Sequence, residues 1–78
     1  MDIRKLVGRN LRRLREAKGL SQEELALAAD IHRTYVSGVE RGIRNPTVKI
    51  IERFASALGT SPDQLLLKES SDTPQRRR

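Results

Sequence analysis

The sequence contains no cysteine and no tryptophan, and only one tyrosine, one phenylalanine and one histidine in 78 residues. Without cysteine there are no disulfides to staple the chain and no thiolate metal sites. With so few aromatics, neither an aromatic-lined ligand pocket nor a base-stacking platform for RNA is expected. His32 stands alone, without the second His or Cys that a zinc site needs, and is read as a residue at a helix start. No apolar run approaches the roughly 20 residues that cross a bilayer. The opening Met1-Asp2-Ile3-Arg4-Lys5 lacks the apolar stretch of a secretory signal. A soluble, cytoplasmic protein is the expectation, with no cofactor, no metal and no small-molecule substrate.

What the chain does have is positive charge. Sixteen Lys and Arg against ten Asp and Glu leave a formal net charge of +6. That excess suits a polyanionic partner, either nucleic acid or an anionic membrane surface. The length permits one domain with a modest core, for which oligomerisation is a common source of added stability. Ser, His and Asp all occur, but so small a domain offers little room for the held constellation a hydrolase needs. An enzyme is not expected.

Apolar spacing and punctuation predict five helices. Ile3, Leu6, Val7, Leu11, Leu14 and Ala17 form a helical stripe over residues 3–18, closed by Gly19. Ser21-Gln22-Glu23-Glu24 is a capping box opening a short second helix with Leu25, Ala26 and Ala29 inward. The third runs from Arg33 to Arg41 and stops at Gly42. Ile43-Arg44-Asn45-Pro46 reads as a loop, because a residue before proline is pushed out of the α region. Thr47 caps a fourth helix over 48–58, with Val48, Ile51, Phe54, Ala55 and Leu58 inward. Ser61-Pro62-Asp63-Gln64 reads as a second capping box, starting a fifth helix that ends near Leu67. No segment reads as a strand. The domain is expected over 1–68, with 69–78 a disordered basic tail ending in Arg76-Arg77-Arg78. That run is either a weak phosphate contact or an idle solvated end.

Two short helices joined by a tight turn in a basic all-helical chain point to a helix-turn-helix over about 21–41. At about 100° per residue, Val36, Val39 and Glu40 share one side of the third helix. Thr34, Ser37, Gly38 and Arg41 share the other, with Arg33 at the tip and Tyr35 on a flank. The outward face is small, polar and cationic, which suits a major groove as well as it suits plain solvent. Arg33 is placed to read guanine O6 and N7, and Thr34 and Ser37 to bond base edges. Gly38 points away from the inward face. It is either a site where backbone approaches DNA closely or a tolerated substitution.

Glu40 and Arg15 both fall on inward faces, which points to a partly buried ion pair orienting the third helix. Leu65, Leu66 and Leu67 are consecutive, and Ile50 lies off its helix's main stripe. One helix cannot bury all three leucines in a single core, so they and Ile50 are expected to form a dimer interface; the alternative is partial surface exposure.

These residues carry a resemblance. Leu20-Ser21-Gln22-Glu23-Glu24-Leu25-Ala26, Ile31, Tyr35-Val36-Ser37, Val39-Glu40-Arg41-Gly42 and Asn45-Pro46-Thr47 resemble the phage-repressor-like family, also called Xre-type regulators. Ala57-Leu58-Gly59-Thr60-Ser61-Pro62-Asp63-Gln64-Leu65-Leu66 extends the likeness, which covers about residues 5–67. Within the family, Arg33 to Arg41 most resembles controller proteins of restriction–modification systems.

The resemblance implies an all-α, compact five-helix bundle of the lambda-repressor-like DNA-binding type. Together with the expected dimer interface, this reading gives a homodimer on a palindromic operator in double-stranded DNA. Arg33, Thr34 and Ser37 fall at base-reading positions. Gln22 contacts a phosphate and braces the third helix, Tyr35 lies against the backbone or an adjacent base, and Arg44, Asn45 and Thr47 hold phosphate. Arg41 is placed with the backbone contacts, and Arg15 with Glu40 matches a structural ion pair of the family. Two departures stand out. Asp30 occupies a turn position where the family usually has Gly, and Gly38 replaces a side chain that some relatives use to read a base. An antitoxin-like module that binds a protein partner is the alternative function sharing this fold.

Overall fold

The computed structural model describes residues 2–68. The order is α1 (Ile3–Ala17), α2 (Gln22–Ala29), α3 (Arg33–Glu40), α4 (Val48–Leu58) and a short 3-10 turn, Pro62–Leu66. No strand occurs among the described residues. The expected tail, 69–78, lies outside them.

Three of the four α-helix starts are held by a capping side chain. The Asp2 carboxylate accepts from Arg4 N–H at 3.0 Å. Ser21 Oγ accepts from Glu24 N–H at 3.0 Å, and Glu24 Oε1 accepts from Ser21 N–H at 2.8 Å, completing the capping box. Thr47 Oγ1 accepts from Ile50 N–H at 3.1 Å. His32 precedes α3 without a capping bond from its side chain; its Nδ1 lies 3.3 Å from Thr34 Oγ1 instead.

The helix ends follow one pattern. Ile43 N–H reaches Gly38 O at 3.0 Å while Gly42 N–H reaches Val39 O at 3.0 Å. This paired closure around a left-handed residue recurs at Gly19, Asp30 and Gly59. Asp30 adopts φ 58°, ψ 49°. A short polar side chain tolerates that region better than most, so the departure from glycine keeps the turn intact.

The core gathers Leu11, Leu25, Val36, Val39, Phe54 and Leu65, all fully buried. α1 packs on α3 and on the 3-10 turn, while α2 packs on α3 and α4. The α1–α3 crossing is close because Gly8 has no side chain. A Cβ there would overlap Val39 O and stand 2.7 Å from Glu40 O.

Four sequence expectations are corrected. The fifth helix is not α-helical: Ser61 gives no capping bond, and Gln64 N–H bonds Ser61 O at 3.1 Å, the tighter i→i+3 link. Five residues are too few to sustain an α-helix unaided. Here the segment is fastened from outside, because Asn10 Nδ2 donates to Leu65 O at 2.9 Å and to Leu67 O at 2.7 Å. The domain thus has four α-helices. Val48, the first residue of α4, is not inward but highly exposed, and the helix meets the core from Ile50 and Ile51 onward. Ile3 and Ala17, at the two ends of α1, are also exposed. Gly38 is buried, but by Arg44 and not by an apolar neighbour.

Candidate nucleic-acid interface

α3 is only eight residues long, so its direction depends on what grips its ends. At its C-terminal end, Arg15 Nε donates to Glu40 Oε2 at 2.6 Å and Arg15 Nη2 donates to Glu40 Oε1 at 3.0 Å. The two side chains are 11% and 4% exposed. A planar guanidinium matched to a carboxylate by two parallel bonds fixes orientation as well as distance. The third nitrogen is engaged too: Arg15 Nη1 donates to Leu20 O at 2.8 Å, tying in the α1–α2 turn. Hydrogen bonding to Glu40 holds the Arg15 pKa above its ordinary value, against the opposing effect of burial.

Gln22 completes the clamp. Its Nε2 donates to Glu40 Oε1 at 3.0 Å. Three elements, α1, α2 and α3, therefore meet at one carboxylate. The ion pair expected between Arg15 and Glu40 is present, and Gln22 supplies the expected brace. One amide proton is used in this bond, leaving the second available to a ligand.

The opposite face of α3 is open. Arg33 and Thr34 are exposed at its N-terminal end, and Ser37 is half-buried one turn later. Tyr35 is half-buried against the core. The Arg44 guanidinium lies over its ring, 5.6 Å from the centroid. Arg41 caps the helix and is exposed, as are Asn45 and Thr47 in the following loop. The Thr47 oxygen accepts the α4 cap, which leaves its proton free to donate to an anion. The residues expected to touch DNA thus lie on α3, the loop behind it and the first turns of α2 and α4.

The expected dimer residues divide. Leu65 is fully buried within the single chain and has no surface to offer a partner. The 3-10 turn aims it into the core because Asn10 holds the carbonyls of Leu65 and Leu67. Leu66 and Leu67 remain 47% and 45% exposed, and Ile50 is half-buried against the core.

The pattern of a helix-turn-helix family, HTH_3, matches residues 11–65, from the core of α1 through the 3-10 turn. The chain belongs to this family. The chain is 47% identical over 66 residues to control protein C.BamHI of Bacillus amyloliquefaciens, covering 83% of this chain and 82% of that one. It is also 47% identical over 74 residues to the uncharacterized HTH-type transcriptional regulator y4dJ of Sinorhizobium fredii, covering 95% of each. The fold is similar to the crystal structure of the restriction-modification controller protein C.AhdI from Aeromonas hydrophila. That match has TM-score 0.78 and 48% identity, and covers 80% of this chain and 94% of that one.

Sequence reasoning missed Gly8 and Asn10. Asn10 sits one turn after Leu6 and Val7, a polar residue on the apolar stripe of α1. That position was the available signal, since a buried amide needs partners. Gly8 in mid-helix carried a similar signal of close backbone approach, but nothing local names the approaching strand of chain.

Proposed function

We propose that this helix-turn-helix protein is a sequence-specific DNA-binding transcription regulator that acts as a homodimer on a palindromic operator. One observation carries the reading: α3 is clamped at its inner end by Arg15, Gln22 and Glu40 while Arg33 and Thr34 stand exposed at its other end. A rigidly held helix with an open, cationic N-terminal tip is what major-groove readout requires. Arg33, Thr34 and Ser37 read base edges, and Gln22, Tyr35, Arg41, Arg44, Asn45 and Thr47 position the domain on phosphates. Similarity to C.BamHI and C.AhdI supports control of a restriction–modification system as the biological role.

The homodimer is assigned to Leu66 and Leu67, with Ile50 at its margin. The exposure of Leu66 and Leu67 in the single chain supports this. Two-fold symmetry would set the two α3 helices about 34 Å apart, one helical turn of DNA. Selection of bound sites from random duplex DNA tests the whole reading. Recovery of an inverted repeat with that half-site spacing is the expected result. Recovery of no common sequence would overturn it.

A further inference from the structure

Gly38 sits in the middle of α3, on the face turned away from the core, yet it is buried. What covers it is the side chain of Arg44. A Cβ built on Gly38 would overlap Arg44 Cγ and come within 3.4 Å of its Nε and 3.5 Å of its Cβ. The same glycine receives the loop backbone, its carbonyl accepting from Ile43 N–H at 3.0 Å and Arg44 N–H at 3.1 Å. The arm that leaves this anchor crosses bare helix backbone and ends with its guanidinium over the Tyr35 ring.

We propose that Gly38 is a positioning residue: its missing side chain is the track along which Arg44 lies, and this sets the Arg44–Tyr35 pair for contact with a DNA phosphate. The inference rests on the DNA-binding reading above. Long cationic side chains are normally mobile, and ordering one on binding weakens the complex. Stacking on an aromatic face and a groove for the aliphatic stem order Arg44 beforehand. Any larger residue at position 38 closes the groove.

The chemistry of the clash makes the idea testable. At Gly8 an added Cβ meets the carbonyl oxygens of α3, which cannot step aside. At Gly38 it meets Cγ of the exposed Arg44 side chain, which clears it by rotating about the Arg44 Cα–Cβ bond. Gly38→Ala therefore leaves the fold standing, and alanine is the better helix former. The three heavy atoms nearest the added Cβ all belong to the Arg44 side chain, so the substitution acts first on Arg44.

The experiment combines two readouts on the full chain. In the first, NMR follows the Arg44 Nε–H and side-chain protons, which the Tyr35 ring shifts upfield. Gly38→Ala is expected to move them toward free-arginine values with thermal stability retained. In the second, affinity is measured across a salt series for a duplex recovered by selection and for a random-sequence duplex. The comparison covers the wild type, Gly38→Ala, Arg44→Ala and the double variant. Gly38→Ala is expected to weaken both duplexes by about tenfold, to lower the salt slope by about one, and to have no effect in the Arg44→Ala background.

An equal loss with and without Arg44 would overturn the proposal, because Gly38 would then act through its own backbone. Unchanged affinity, or unchanged Arg44 shifts, would also overturn it. A wild-type chain that binds neither duplex would refute the DNA reading itself, and this inference with it.

Discussion

Arg15 and Glu40, 25 positions apart in the sequence, are joined by two parallel hydrogen bonds of 2.6 and 3.0 Å. The pair locks the C-terminal end of α3 to the last turn of α1. Its carboxylate also accepts from Gln22, and its guanidinium also donates to Leu20 O. No other polar contact in the domain brings together α1, the α1–α2 turn, α2 and α3 among the described residues.

Removing one partner strands the other. Glu40→Ala leaves the Arg15 guanidinium buried without its carboxylate, and is expected to destabilise the fold by about 3–5 kcal/mol. Urea denaturation checks this. Because Arg15 stays protonated throughout the accessible range, the cost is expected to be the same at pH 6 and pH 8. A paired swap to well-packed apolar residues is expected to recover much of the stability while DNA affinity stays low, which separates orientation from folding.

Arg33 is exposed and outside the clamp, so its loss leaves stability within about 0.5 kcal/mol of wild type. On the selected duplex, Arg33→Ala is expected to cost about 1–3 kcal/mol of binding and to relax preference at one base pair. Competition titrations against single-position operator variants measure this. An equal loss on random DNA would show that Arg33 contacts phosphate only.

Asn10 fastens the 3-10 turn through two carbonyls at 2.9 and 2.7 Å. Asn10→Leu removes both bonds and leaves the buried Leu65 carbonyl unpaired. The expected cost is about 1–3 kcal/mol in chemical denaturation. Because Leu66 and Leu67 follow on the same turn, self-association is expected to weaken as well, read by sedimentation equilibrium.

Leu65 and its two neighbours are expected to behave differently. Leu65→Ala empties a fully buried site and is expected to cost about 2–5 kcal/mol of stability. Leu66→Glu with Leu67→Glu changes exposed positions. It is expected to leave monomer stability within about 1 kcal/mol while shifting the light-scattering mass toward that of a single chain. A monomeric wild type at high micromolar concentration that still binds operator tightly would sink the dimer assignment.

The sequence by itself determined the four α-helices, where they start and stop, and which residues of α3 face inward. Those features are local: a cap and its partner lie three residues apart, and an apolar stripe repeats every turn. It also determined that Arg15 and Glu40 would face inward, because a charge set among apolar neighbours at helical spacing must find a partner inside.

Only the tertiary structure decided which partners meet across the chain. Nothing near Asn10 reveals that it would hold carbonyls 55 and 57 positions away, and so pull Leu65 in while leaving Leu66 and Leu67 out. Nothing near Gly8 reveals the backbone of α3 passing against it. Gly38 read locally as a bare spot open to DNA, and the fold lays Arg44 across it instead. Periodicity fixes a residue's direction from its own helix axis. What occupies that direction depends on how separate helices pack, which no local pattern encodes.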